Sequence, residues 1–147
     1  MILKLEKDSL QKDVEVLVKF PFKNKTVQRI VSLLESIDAK IECYFEDDVK
    51  FINALDIYYF ESAEKTTVVY CEKESYRSKF RLYQLYEKLR SKGFIQISKY
   101  CILNINKLER IKPLFNSRME AILSNGSRLD VTRKFLASIK QVLEENE

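Results

Sequence analysis

The chain of 147 residues contains no histidine, and it has only two glycines, two prolines and three cysteines. Each shortage excludes something. Without histidine the commonest general base and the commonest transition-metal ligand are both missing, so catalysis would have to rest on carboxylates, lysines or thiols. No nucleophile–base pair, phosphate loop or metal set is visible among those, so no enzyme, cofactor, metal site or small-molecule substrate is expected. The scarcity of glycine and proline leaves little room for long flexible linkers. Cys43, Cys71 and Cys101 are odd in number, widely spaced and set in apolar or alternating stretches. That is neither a disulfide framework nor a zinc pattern, and buried free thiols are the reading. No apolar run approaches the ~20 residues of a membrane span. The start, Met-Ile-Leu-Lys-Leu-Glu-Lys-Asp, lacks the apolar core of a signal peptide, so a cytoplasmic protein is expected.

What is present is ample apolar material, 46% of residues, against 33% charged and a net charge of +4. This suits one domain, or a domain with a small appendage. The charge is uneven: residues 1–56 hold nine Lys/Arg and eleven Asp/Glu, whereas residues 57–147 hold seventeen and eleven. Between Tyr76 and Tyr100 seven cations (Arg77, Lys79, Arg81, Lys88, Arg90, Lys92, Lys99) meet one acid, Glu87. The basic surface belongs to the second part of the chain.

Val14–Phe20 is β-branched and partly alternating, a strand ended by Pro21. Thr26 then caps a helical pattern carrying Ile30, Leu33, Leu34 and Ile37, and Lys40–Phe45 reads as a second strand. Residues 1–45 thus form a β-α-β segment, and the charged run Glu46-Asp47-Asp48 marks the expected boundary with a second domain, 46–147. In that domain Val49–Asn53, Ile57–Phe60, Thr66–Cys71 and Tyr76–Leu82 read as strands, followed by a short helix over Tyr83–Ser91 that Gly93 stops. From Phe94 an alternating strand runs to Leu103. Leu108–Leu114 and Met119–Leu123 pair across Phe115–Arg118. Asn125-Gly126 is the strongest hairpin signal in the chain and joins Leu123 to Leu129. Thr132 caps a final helix with Phe135, Ile139, Val142 and Leu143 on one stripe.

Arg133 and Lys134 open that helix, where the backbone dipole is already positive and Asp or Glu would serve better. An external anion explains the pair, nucleic acid first among candidates. A solvated helix start explains it as well.

Three pieces now stand in order: Asp56-Ile-Tyr-Tyr-Phe-Glu61, then Phe94-Ile-Gln-Ile-Ser-Lys-Tyr-Cys-Ile-Leu-Asn104, then Asn125-Gly126 with Leu129-Asp-Val-Thr-Arg133. Together they resemble the LytTR DNA-binding domain of bacterial transcription regulators over about residues 46–143. That family's patterns are D-I-x-Y-x-E, F-x-R-x-H-R-S-x-x-V-N and N-G-x-x-L-x-V-S-R. Here the family's R-x-H-R-S is replaced by Gln96-Ile-Ser98-Lys99-Tyr100, and V-S-R by Val131-Thr132-Arg133. The resemblance implies an α+β fold, a mainly antiparallel, elongated β-sandwich with short helices, preceded here by the small N-terminal β-α-β segment. It also implies DNA contacts from loops and strand ends in successive major grooves. Carried over position by position, those contacts fall at Lys65 to Thr67, at Ser98-Lys99 and at Arg133.

Arg133 is the candidate for a bidentate fork to guanine, Lys99 a point charge on a base or phosphate, and Thr67 a contact to a base edge or thymine methyl. Lys65, Thr66, Ser98, Arg77, Lys79, Arg81, Arg128 and Lys134 are the secondary, backbone-contacting candidates. Lys99 also suits an edge-strand guard, and the cations from Arg77 to Arg81 suit any solvated strand face. Tyr58, Tyr59 and Phe60 read as core. The expectation is a sequence-specific, double-stranded-DNA-binding transcription regulator that binds promoter DNA as a homodimer on tandem direct repeats. Residues 1–45 would serve dimerisation or regulation, including restraint by an inhibitory membrane protein. The alternative is a protein-interaction module whose basic face meets an acidic partner.

Overall fold

Asn24, not Thr26, starts the first helix: its side-chain oxygen accepts from the Val27 amide at 3.1 Å in a computed structural model that describes residues 1–144. An Asn at this position satisfies one of the free amides of the first turn. Helix α1 (Lys25–Asp38) buries Val27 and Ser36, with Ile30, Leu33 and Leu34 half-buried on the same side. The strand expected at Val14–Phe20 is not formed; residues 1–24 have no helix or strand, because no neighbouring strand offers that segment a ladder.

Strands β1 (Lys40–Phe45) and β2 (Asp48–Asn53) form a hairpin in unbroken register from Lys40↔Asn53 to Phe45↔Asp48. Its turn is Glu46-Asp47, with Glu46 in the left-handed region at φ 56°, so the charged run expected between two parts of the chain is a hairpin tip. Strands β3 (Tyr59–Ala63), β4 (Thr66–Tyr70) and β5 (Ser75–Ser78) follow, then helix α2 (Leu82–Leu89). The Gln84 side chain accepts from the Arg81 amide at 2.8 Å at the start of α2. Gly93, at φ 89°, turns the chain into β6; a Cβ there would lie 3.0 Å from the Asn106 side chain and 3.3 Å from that of Ser32.

The single strand expected from Phe94 to Leu103 is two: β6 (Phe94–Ser98) and β7 (Cys101–Asn104), folded back at Lys99-Tyr100. A register irregularity between Gln96 and Ser98 starts the reversal, and the Ser98 hydroxyl oxygen accepts from the Tyr100 amide at 3.2 Å. One antiparallel seven-stranded sheet results, in the order β2-β1-β5-β4-β3-β7-β6. A second, three-stranded sheet is built from β8 (Leu108–Pro113), β9 (Met119–Leu123) and β10 (Arg128–Val131), in the order β10-β9-β8. Helix α3 (Leu136–Glu144) closes the described chain.

Two apolar clusters hold these layers. Phe60, Ile102 and Phe94 pack with Leu82, Leu85 and Leu89 of α2 on one face of the large sheet. Ile97, Leu103 and Ile95 pack with Leu123, Val131 and Ile139 on the other. Neighbours Phe94 and Ile95 therefore face opposite cores, as do Ile102 and Leu103. A strand covered on both sides carries apolar residues on both faces, and each such buried side chain contributes roughly 1.5–3 kcal/mol. The architecture is mainly antiparallel β with short helices, as the sequence implies. Among the described residues no helix is long and apolar enough to cross a membrane.

Candidate nucleic-acid interface

The antiparallel order brings five connections to one end of the two sheets. They are the β3–β4 turn at Glu64-Lys65, residues 79–81 after β5, the β6–β7 turn at Lys99-Tyr100, the β8–β9 turn at 114–118, and residues 132–135 after β10. Hydrogen bonds join them. The Ser62 amide donates to the Tyr100 carbonyl at 2.8 Å, and the Thr132 amide to the Ile97 carbonyl at 3.0 Å. Arg77 donates to the Thr66 hydroxyl at 2.9 Å, and Arg133 Nε to the Asn116 carbonyl at 2.9 Å.

Seven cations sit on these connections. Lys65, Lys79, Arg81 and Lys99 come from the large sheet, Arg118, Arg133 and Lys134 from the smaller, and all are exposed. Glu64 is the acid in the same turns. The opposite end carries Glu46, Asp47 and Asp48 on the β1–β2 turn and Glu72 and Glu74, with Lys73 between them, on the β4–β5 turn, while Arg90, Lys92 and Lys107 lead into β6 and β8. The Asn125 side chain of the β9–β10 turn donates to the Glu72 carbonyl at 3.1 Å, which fixes that turn at the opposite end. Positive charge is thus in clear excess at the first end and nearly balanced at the other, and the field attracts a polyanion to the basic end.

Individual candidates differ in availability. Thr67 is not available to a base: it is 1% exposed and its hydroxyl donates to the Phe80 carbonyl at 2.7 Å. Residues at alternate positions of a strand face opposite ways, and Thr67 falls on the core side. Thr66 is half-buried, and its hydroxyl ties the turn by donating to the Ala63 carbonyl at 3.2 Å. Ser98 is likewise engaged with Tyr100, while Lys99 is exposed with its ammonium 5.6 Å from the Tyr100 ring centroid. Arg77 lies within β5 rather than at its end. Arg128 lies on β10 in an ion pair with Glu120 at 3.3 Å, so a phosphate would have to compete for it. Arg133 and Lys134 occupy a 3-10 turn, Arg133–Phe135, ahead of α3, and Thr132 makes no side-chain cap there. Lys134 Nζ lies 5.7 Å from the Phe135 ring centroid.

The β8–β9 turn brings residues to this end that strand patterns do not single out. Phe115 is 91% exposed, and Asn116 and Ser117 both take left-handed backbone at φ 63° and 60°. A large aromatic in a turn was the available signal. Of the three cysteines, Cys101 lies next to this end, paired with Ser98 behind the Lys99-Tyr100 turn, but none is chemically available there. Burial pushes the thiols of Cys43 and Cys101 up to about 12 and that of Cys71 up to about 11, so all three are neutral.

Residues 47–144 match the LytTr DNA-binding domain family. The chain belongs to that family. A LytTr DNA-binding domain solved from Bacillus cereus superposes with a TM-score of 0.68 at 22% identity, over 72% of this chain and 97% of that one, and so shares the fold. The sensory transduction protein LytT of Enterococcus faecalis is 30% identical over 98 residues, 67% of this chain and 40% of that protein. This chain therefore spans about 40% of the length of that LytT relative. An uncharacterized HTH-type transcriptional regulator of Staphylococcus aureus is 29% identical over 125 residues, 84% of each chain. Within the LytTr family the polar ends of the strands here carry lysine and arginine but no histidine.

Proposed function

We propose that this LytTr protein is a sequence-specific, double-stranded-DNA-binding transcription regulator, and that its basic end enters successive major grooves. The observation that carries the reading is the gathering of Lys65, Lys79, Arg81, Lys99 and Arg133 on turns at one end, away from the acidic turns. A major groove about 12 Å wide admits a two-stranded β-ribbon. The β3–β4 and β6–β7 hairpin tips have that form. Arg133 is the base-reading side chain, since a guanidinium forks to guanine O6 and N7. Lys99 reads guanine less rigidly or holds a phosphate, and Lys65, Lys79, Arg81 and Lys134 neutralise phosphates. Two molecules bind tandem direct repeats in a promoter. The names of the relatives, a sensory transduction protein and a transcriptional regulator, support gene control as the outcome.

A mobility shift with the duplex upstream of the chain's own coding sequence, against an excess of unrelated duplex, tests this. Retention of the shifted band under competition is expected. Equal displacement by both duplexes overturns the sequence-specific reading, and a complex formed only with acidic proteins favours the protein-interaction alternative.

A further inference from the structure

The β8–β9 turn carries a large side chain that the fold does not use. Phe115 is 91% exposed and belongs to neither apolar cluster. One exposed aromatic signifies little by itself. The turn beneath this one says more.

That turn is closed and held. The Leu114 amide donates to the Arg118 carbonyl at 2.9 Å, and Asn116 and Ser117 follow each other in left-handed backbone. Non-glycine residues in that region persist where their surroundings fix them. Here the fixing group is Arg133, whose Nε donates to the Asn116 carbonyl at 2.9 Å. Phe115 is thus the chain neighbour of the residue on which the base-reading guanidinium rests. Its Cα lies ~3.8 Å from that of Asn116, close to one base-pair step of ~3.4 Å.

Charge points the same way. From Arg110 to Met119 the chain has three cations, Arg110, Lys112 and Arg118, and no acid. Lys112 before the turn and Arg118 after it are both exposed. An apolar tip flanked by cations suits a ligand with phosphates outside and base edges between them. A phenyl ring has no donor or acceptor with which to read those edges. The apolar group that the major groove displays is the C5 methyl of thymine, and phenylalanine packs against it. Wedges that unstack a base step enter from the minor groove, whereas Phe115 stands beside a major-groove reader.

We infer that Phe115 packs on a thymine methyl within about three base pairs of the guanine read by Arg133, and so selects thymine there. The inference rests on the proposed reading of the basic end and adds an apolar contact to its charged ones. It also gives the smaller sheet a second base-contacting turn beside residues 132–135.

Parallel selection from a random-sequence duplex pool by the full chain, by Phe115→Ala and by Arg133→Ala tests the inference. The guanine whose enrichment disappears with Arg133→Ala marks the reference position. Wild type should enrich thymine near it, and Phe115→Ala should keep the guanine but lose the thymine. Phe115→Leu, which retains an apolar tip, should keep both. Uracil in place of that thymine removes only the methyl. It should weaken wild type about fourfold, the worth of one buried methyl, and leave Phe115→Ala unaffected. A guanine without a neighbouring thymine, the same thymine preference in wild type and Phe115→Ala, or an equal uracil penalty in both overturns the inference and leaves the role of Arg133 standing. A wild-type selection that yields no motif overturns the sequence-specific reading and this inference with it.

Discussion

Arg133 is tied to the β8–β9 turn: its Nε donates to the main-chain carbonyl of Asn116 at 2.9 Å. That bond uses one of the five guanidinium N–H groups and leaves the two terminal amino groups for a planar fork. The side chain is thereby ordered before any ligand arrives, which lowers the entropy cost of a bidentate contact. Arg133→Ala should relax preference at one base position by about 1–3 kcal/mol, measured by competition with single-base variants of the site. Arg133→Lys should not restore it, because an ammonium cannot fork.

Asn116 holds that carbonyl in place with left-handed backbone, φ 63°, a region asparagine tolerates and β-branched residues do not. Asn116→Gly should leave the melting temperature nearly unchanged. Asn116→Val should cost on the order of 1–2 kcal/mol of stability in a urea titration. It should also blunt base preference at the position that Arg133 reads. A stable Asn116→Val protein with intact preference would break the link between turn and guanidinium.

Thr67 makes the contrast. Its buried hydroxyl donates to the Phe80 carbonyl at 2.7 Å, which anchors the segment that leads into α2. Thr67→Val should reduce stability by about 1–2 kcal/mol while leaving base preference as in the wild type. A change in sequence preference without a change in stability would restore Thr67 as a reader.

How much of this was legible in the sequence depends on what each pattern encodes. Strand composition and the Asn125-Gly126 turn located the smaller sheet, because local turn chemistry and period-two alternation suffice there. The reversal at Lys99-Tyr100 was hidden because apolar residues lie on both faces of β6 and β7 and the two polar residues at the turn fit an alternating pattern, so the run reads as one strand. Val14–Phe20 has strand propensity without a strand, since pairing is a tertiary property. The cations at Lys99 and Arg133 were visible as residues. Their convergence with Lys65 and Lys79 was not, because only strand order decides which turns share an end. Thr67 failed as a base contact because which side of a strand faces the core depends on register.

Lys79 is exposed on the connection after β5, and an ammonium there acts as a point charge rather than a fork. Lys79→Ala should weaken every duplex alike and make the slope of log affinity against log salt shallower by about one. Loss confined to a single sequence would assign it to base reading instead.

Stability should fall in alkali for a definite reason. Burial pushes Cys43 and Cys101 from 9.0 up to about 12, and Tyr59 from 10.0 up to about 12 by burial and then by neighbouring Tyr70. The folded state thus retains protons that the unfolded chain gives up. The contribution is complete below about pH 9 and is lost as pH rises toward about 12. Urea unfolding at pH 10.5 should show lower stability than at pH 8, and native Cys43 and Cys101 should resist alkylation at pH 7.5. Rapid labelling of either thiol without unfolding would contradict their burial.

The central claim is that the basic end of the two sheets is the face DNA meets. Amide chemical shifts of the full chain, followed during titration with a mixed-sequence duplex at low salt, test it most directly. The electrostatic part of binding needs no particular sequence under those conditions. Perturbations should concentrate at Glu64–Lys65, Lys79–Arg81, Ser98–Tyr100 and Thr132–Lys134, and spare Glu46–Asp48 and Glu72–Glu74. Shifts centred on the acidic turns, or none at any position, would contradict the account.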